Sequence, residues 1–371
     1  MECMALVSRG IEDVACTEIA EIIGAKCRQE EGCVLFSAKK IEDIFKISYR
    51  AQSISRAILL LDRFEFKAFE DISDKIKRIP IPLKPKIRTF AVKCKREGSH
   101  DFLSIDIEKE LAKHIEKKTG AKQDFRECEL MFFCYILSSK FYFGIDFAGL
   151  ELHKRQYKIY AQSSSLRCTI AYALARLSGF KKGESLLDPF AGDGIILIES
   201  ALYSSGISPN FYSKDKFLFT RLKDFSKSKK FLEKIDKKPS AKFKIIGFDS
   251  AFNHIDYTRK NAKIAGVHDV VELSRVEMEW LDVKFKGKSI DRIVTKLPSG
   301  IKAANDKLLS EFFYQSEFIL KDKGTIALIT HYPNMVKEAA SKKGFKVLDE
   351  RKVWSGQQEL WILVFNKKIT L

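Results

Sequence analysis

Asp188-Pro189-Phe190-Ala191-Gly192-Asp193-Gly194 lies between an apolar strand pattern, Ser185-Leu186-Leu187, and a helical pattern opening at Ile195-Ile196-Leu197-Ile198-Glu199. A strand, a tight glycine turn and a helix N-terminus make a concave backbone surface that can hold a small ligand. The acid at the strand end narrows the choice of ligand. A carboxylate there repels the pyrophosphate of a dinucleotide and suits a cationic group instead. The turn, Ala191-Gly192-Asp193-Gly194, also lacks the first glycine of a dinucleotide fingerprint.

Outward from this turn, short strand patterns alternate with helical ones. The strands are read at 185–188, 244–249, 270–274, 290–295 and 324–330, and the chain ends in a hairpin, 346–353 and 359–366, around Ser355-Gly356. This order predicts a doubly wound parallel sheet with a terminal antiparallel pair. Upstream, 4–7, 33–36 and 56–64 read as strands around helices at 11–23 and 40–49, a small α+β unit of ferredoxin-like content. Between 65 and 148 the patterns are a helix at 72–79, a strand at 89–94, a helix at 105–119 closed by Gly120, and paired strands at 130–137 and 140–147. The aromatics there (Phe132, Phe133, Tyr135, Phe141, Tyr142, Phe143) read as core of a hairpin rather than as a base-stacking platform. The predicted units are thus 1–64, 65–148, a polar linker 149–165, and 166–371.

A chain of 371 residues with 45% hydrophobic residues can bury two or three cores. No apolar run is long enough to cross a bilayer, and the N-terminus, with Glu12 and Asp13 early, lacks a signal-peptide layout. The eight cysteines include no C-x-x-C pair, and the six histidines are spread widely, which predicts reduced thiols, a cytoplasmic protein and no metal site. The net charge of +17 is concentrated: residues 51–100 carry +6 and residues 201–250 carry +7. From Lys75 through Arg96 there are nine basic residues and no acid: Lys75, Lys77, Arg78, Lys84, Lys86, Arg88, Lys93, Lys95 and Arg96. Such clustering suits a polyphosphate partner, because each neutralised phosphate releases condensed counterions. Pro80, Pro82 and Pro85 break the amphipathic helix that a membrane surface would need. The candidate partner is therefore a nucleic acid and not a membrane.

In a doubly wound sheet, ligands bind at the carboxyl ends of the strands. Asp188 ends the first strand and Asp249 the second, while Glu277 follows the third beside Met278. Together they predict a nucleoside pocket: Asp249 and Ser250 at a ribose, Glu277 and Met278 at an adenine. Pro189, Phe190, Ala191, Gly192 and Gly194 would frame the ligand at the turn. With a cationic group at Asp188, S-adenosylmethionine fits the set.

The fourth strand ends in Thr295-Lys296-Leu297-Pro298-Ser299-Gly300. Here the chain resembles class I methyltransferases that act on exocyclic amino groups of nucleobases. It is more similar still to THUMP-domain RNA guanine-N2 methyltransferases, both archaeal tRNA enzymes and bacterial large-subunit rRNA enzymes. The resemblance runs from Ser8-Arg9-Gly10-Ile11-Glu12-Asp13 through Leu152-His153-Lys154-Arg155 and Asp188-Pro189-Phe190-Ala191-Gly192 to Asn261-Ala262-Lys263-Ile264-Ala265-Gly266-Val267. It implies ferredoxin-like and THUMP domains followed by a seven-stranded Rossmann-fold domain with an antiparallel C-terminal hairpin. It also implies S-adenosylmethionine as cofactor, N2-methylguanosine as product and tRNA as the leading substrate, with 23S rRNA as the alternative. Lys154 and Arg155 join the candidate RNA contacts, and an activator subunit is left open.

Besides Ile195, where the family often has Thr, and Gln156, where it often has Gly, one stretch departs from the family pattern. Lys296 stands where the family has an Asn or Asp acceptor for the base amine, and Ser299 where it has an aromatic residue. Lys296, Leu297, Pro298 and Ser299 are the candidate catalytic positions. A lysine ammonium donates and cannot accept. Two readings follow: an enzyme that uses the carbonyls of Leu297 and Pro298, or a paralogue that binds RNA without transferring methyl. A nicotinamide oxidoreductase is disfavoured by Asp188 and the basic N-terminal half.

Overall fold

The computed structural model describes residues 1–82, 85–162, 164–236, 244–298, 306–356 and 358–368. Lys84 and Ser299 lie outside the described residues. In the N-terminal half the elements are β1 (Glu2–Val7), α1 (Glu12–Ile23), β2 (Cys27–Glu30), β3 (Cys33–Ser37), α2 (Ile41–Arg50), β4 (Ile54–Glu65), α3 (Phe69–Ile76), β5 (Thr89–Glu97), α4 (Ser104–Thr119), β6 (Lys122–Gln123), β7 (Leu130–Leu137) and β8 (Lys140–Asp146). They build one mixed sheet of eight strands in the order β2-β3-β1-β4-β8-β7-β5-β6. Antiparallel pairing of β4 with β8 carries the sheet from the first sequence region into the second. Strand β7 is buried along its whole length, so its aromatics are core, as their alternation suggested.

The second half comprises α5 (Cys168–Leu177), β9 (Ser185–Asp188), α6 (Ile195–Ser205), α7 (Ser228–Ile235), β10 (Lys244–Asp249), α8 (Phe252–Ala265), β11 (Val271–Arg275), α9 (Leu281–Lys284), β12 (Ile290–Lys296), α10 (Asp306–Ile319), β13 (Leu320–Thr330), α11 (Pro333–Lys342), β14 (Phe345–Ser355) and β15 (Gln358–Lys367). The seven strands run β11-β10-β9-β12-β13-β15-β14, all parallel except β15, which pairs antiparallel with both β13 and β14. The order reverses between β9 and β12, which opens a crevice at their carboxyl ends. Helices α5 and α6 are apolar on nearly every face and are buried accordingly.

The lysine-rich stretch after α6 is not a plain solvated insertion. Phe217 and Phe219 are fully buried in the N-terminal core, and Phe219 stacks on Phe45 of α2 with ring centroids 4.1 Å apart. The backbone N–H groups of Leu218 and Phe219 donate to the carbonyls of Ala148 and Phe147, at 3.1 and 3.0 Å. Lys216, Lys223, Lys227, Lys229 and Lys230 face out while Phe217 and Phe219 tie this segment to the first sheet.

A buried polar junction joins the halves. Glu199 of α6 accepts from Arg155 Nε at 2.8 Å, from the Tyr157 hydroxyl at 2.6 Å and from Gln52 Nε2 at 2.6 Å. Arg155 also donates to the Gln52 carbonyl at 2.7 Å, and the ion-paired side chains of Arg155 and Glu199 have no solvent exposure. Burial works against the Arg155 charge, but Glu199 outweighs it and holds the guanidinium charged. Removing one partner of a buried pair strands the other's charge. We therefore expect Glu199→Ala to lower stability by about 3–5 kcal/mol, read as a fall in the denaturant midpoint. Glu199→Gln, which keeps hydrogen-bonding atoms in place, should cost less.

Candidate active site

The turn after β9 owes its shape to two left-handed glycines, Gly192 at φ 58° and Gly194 at φ 79°. A Cβ on Gly194 would lie 2.4 Å from Thr258 Cγ2, so this glycine lets α8 pack against the turn rather than lining the cavity. The Thr258 hydroxyl donates to the Gly192 carbonyl at 3.1 Å, and the Gly192 N–H donates to Asp249 Oδ2 at 2.9 Å. Asp249 also accepts from the Ala251 N–H and from His254 Nδ1, each at 2.9 Å on Oδ1. The strand-end carboxylate thus braces the turn while facing the same space.

Asp188 is 1% exposed. Its Oδ1 accepts from the Thr295 hydroxyl at 2.6 Å and the Phe190 N–H at 3.1 Å. Burial pushes its carboxyl up to about 7 despite these two bonds, and the charges of Asp249 and Asp193 push the same way. The site therefore stores unfavourable negative charge that a cation would relieve.

Asp188, Asp249 and Glu277 line one cavity of about 590 Å³. Pro189, Phe190, Ala191, Gly192, Ser250 and Met278 share that lining, and Lys296, Leu297 and Pro298 close it from the end of β12. Met278 is buried and Glu277 stands on the open side. The connector supplies a further wall through Gln162, Ser164, Ser165 and Leu166. Lys296 Nζ donates to the Ser164 carbonyl. Burial draws the Lys296 ammonium below the usual lysine range and Lys158 adds to this, while Asp193 opposes it. Two buried polar atoms, Asp193 Oδ2 and Gln162 Nε2, have no hydrogen-bond partner among the described residues.

Sequence reasoning missed Thr295, His254, Gln162 and Lys158. His254 carried a weak signal, since it falls in the first turn of α8 just beyond Asp249. Gln162 and Lys158 carried none, because a polar linker gives no period from which to read a facing direction.

The basic cluster lies away from this cavity, on α3, β5 and the segment between them. Lys77, Arg78, Lys86, Arg88, Lys93 and Lys95 are exposed. Lys77 pairs with Asp74, Arg88 with Glu129 and Lys95 with Glu97. Lys75 lies over the Phe64 ring and donates to the Glu65 carbonyl, and half-buried Arg96 lies over Phe102. Exposed pairs of this kind are weak enough to yield to phosphate. Lys154 is exposed and paired with Glu151. Arg155 corrects the sequence expectation: enclosed at the junction with Glu199, it cannot reach an external phosphate. Among the described residues no group of His, Cys, Asp or Glu side chains could hold a metal, and no helix is long and apolar enough to cross a membrane.

Residues 155–360 match the RMKL-like methyltransferase domain family, and residues 66–146 match the THUMP domain. The chain is 30% identical over 376 residues to the tRNA (guanine(6)-N2)-methyltransferase of Methanocaldococcus jannaschii, covering 96% of this chain and 97% of that one. Identity to the enzyme of the same description from Archaeoglobus fulgidus is 26%, over 97% and 91% of the two chains. Similarity to the ribosomal RNA large subunit methyltransferase K/L of Aliivibrio fischeri, at 26% identity, covers 72% of this chain but 40% of that one. The fold matches crystal structures of TrmN from Thermus thermophilus (TM-score 0.76, 20% identity, 99% of each chain) and of a chain complexed with SAH (TM-score 0.80, 21% identity, 100% of this chain and 99% of that one). The chain belongs to the THUMP-containing, RMKL-like methyltransferases, a family of S-adenosylmethionine-dependent enzymes of RNA.

The raised Asp188 carboxyl has a consequence for stability. Its folded value of about 7 lies above the ordinary 3.8, so the folded state binds the extra proton between those values. Stability from this group therefore falls as pH rises through that window and levels off above it. We expect Asp188→Asn to raise the melting temperature of the ligand-free protein more at pH 8 than at pH 5, as measured by thermal scans.

Proposed function

We propose that this protein transfers the methyl group of S-adenosylmethionine to the N2 amine of a guanosine in tRNA. One observation carries the reading: a single cavity combines the strand-end acids Asp188 and Asp249 with the Lys296-Leu297-Pro298 strand end. The cavity also suits the cofactor in its unmet polarity, since Asp193 Oδ2 and Gln162 Nε2 await partners. When bound, S-adenosylmethionine supplies the electrophilic methyl group.

The protein's share of the work is binding and orientation. Asp188 accepts from the cofactor's ammonium, Asp249 and Ser250 from or to its ribose, and Glu277 with Met278 holds the adenine. Pro189, Phe190, Ala191 and Gly192 form the surrounding wall, with Gly194 shaping the turn behind it. The guanine amine is a weak nucleophile because its lone pair is delocalised into the ring. The carbonyls of Leu297 and Pro298 accept its hydrogens and aim the lone pair, so positioning and stabilisation of the growing positive charge dominate.

Full-length similarity to two archaeal tRNA enzymes supports tRNA over rRNA as the substrate. The exposed cations of α3 and β5, within the THUMP match, supply a phosphate-binding face. The test is transfer of tritium from labelled cofactor to unmodified tRNA and to rRNA fragments, with the methylated nucleoside identified by mass spectrometry. N2-methylguanosine in tRNA is the expected product. Label in another base would overturn the assignment, and cofactor binding with no transfer to any RNA would assign an RNA-binding paralogue instead. For docking, Lys93→Ala and Lys95→Ala together should weaken RNA binding at low salt. They should also reduce the slope of log affinity against log salt by about 1–2, with cofactor affinity unchanged.

A further inference from the structure

Lys296 occupies the position where the family keeps an acceptor for the base, yet its ammonium turns back along the connector to the Ser164 carbonyl. The preceding residue, Thr295, holds Asp188, so the lysine stands at the tip of β12 beside the tip of β9 that carries the carboxylate expected to take the cofactor's ammonium. Among the described residues no carboxylate forms an ion pair with Lys296; Asp193 is the acid whose charge acts on it. Beside it, Gln162 Nε2 lies 3.4 Å from where a Cβ on Gly192 would sit, over the glycine turn, and has no partner. Asp193, 6% exposed, turns an equally unpartnered Oδ2 into the same wall.

We propose that Lys296 and Gln162 bind the α-carboxylate of the cofactor while Asp188 and Asp193 bind its α-ammonium, forming a clamp for a zwitterion. The proposal rests on S-adenosylmethionine being the cofactor. The chemistry is complementary atom by atom. A guanine amine offers a lysine only hydrogens it cannot accept, whereas an amino-acid terminus offers an anion to the two donors and a cation to the two acids. Lys158, which donates at 2.6 Å to the carbonyl of Leu166, a residue of that wall, adds positive charge from behind it. A carboxylate seated there would also offset the burial that draws the Lys296 ammonium down. The departure from the family motif is then a change in how the cofactor is held, and the carbonyls of Leu297 and Pro298 are left for the base.

The test is calorimetry on the full chain with two ligands: S-adenosylhomocysteine and its decarboxylated analogue, which keeps the ammonium and lacks the carboxylate. Lys296→Met should weaken S-adenosylhomocysteine by about tenfold or more while changing the analogue by less than about twofold. Lys296→Arg should recover most of the lost affinity. Equal losses for both ligands would overturn the proposal, as would unchanged S-adenosylhomocysteine affinity with weakened RNA binding, which would assign the ammonium to phosphate. If the wild-type protein binds neither ligand, the cofactor reading itself fails and this proposal with it.

Discussion

The ion pair between Glu199 and Arg155 holds the two halves of the molecule in one arrangement. A carboxylate on α6, a guanidinium and a phenol from the connector and an amide from the loop after α2 meet in a buried cluster. Desolvating two charges is expensive, and the attraction repays it only where every remaining donor and acceptor is matched. Here Glu199 accepts from three side chains, so the junction tolerates one geometry. Nearby, buried Glu18 accepts from the Gln52 and Ser53 N–H groups and extends the network into α1. The connector that leaves this junction goes on to wall the cavity at Gln162 and Ser164. The distance from the basic face of α3 and β5 to the cavity is therefore set by the junction and not by a flexible tether.

Electrostatics at the sheet tips are organised around the topological switch point. Parallel strands aim their carboxyl ends at one crevice, and this chain has put acids at two adjacent tips, with a third, Asp193, in the turn. Asp249 is stabilised by two backbone N–H groups and His254, so its charge is already supported by the protein. Asp188 accepts from Thr295 and the Phe190 N–H, and burial still pushes its carboxyl up to about 7. The two carboxylates thus differ in setting: one braces the turn, and the other is buried where negative charge is unfavourable.

The segment 211–235 shows how composition misleads. Its lysines dominate the charge count, yet Phe217, Phe219, Leu222 and Leu232 decide its place by filling the N-terminal core. From Phe217 to Leu222 the apolar side chains follow no helical or strand period, so their burial against a distant sheet is invisible locally. The same holds for the continuous first sheet, since pairing of β4 with β8 spans some eighty residues of sequence.

The amino-acid sequence by itself determined the doubly wound sheet, its antiparallel hairpin and the strand ends that carry Asp188 and Asp249. Each rests on short-range periodicity and on a turn that only glycine can form. Only the tertiary structure decided that Arg155 is buried while Lys93 is exposed, although both are basic residues in basic stretches. The same is true of Gln162 and Thr295, which meet the glycine turn and its leading Asp188 through contacts between separate elements. Burial is a property of what packs on a residue from elsewhere in the chain, and nothing in its local sequence records that.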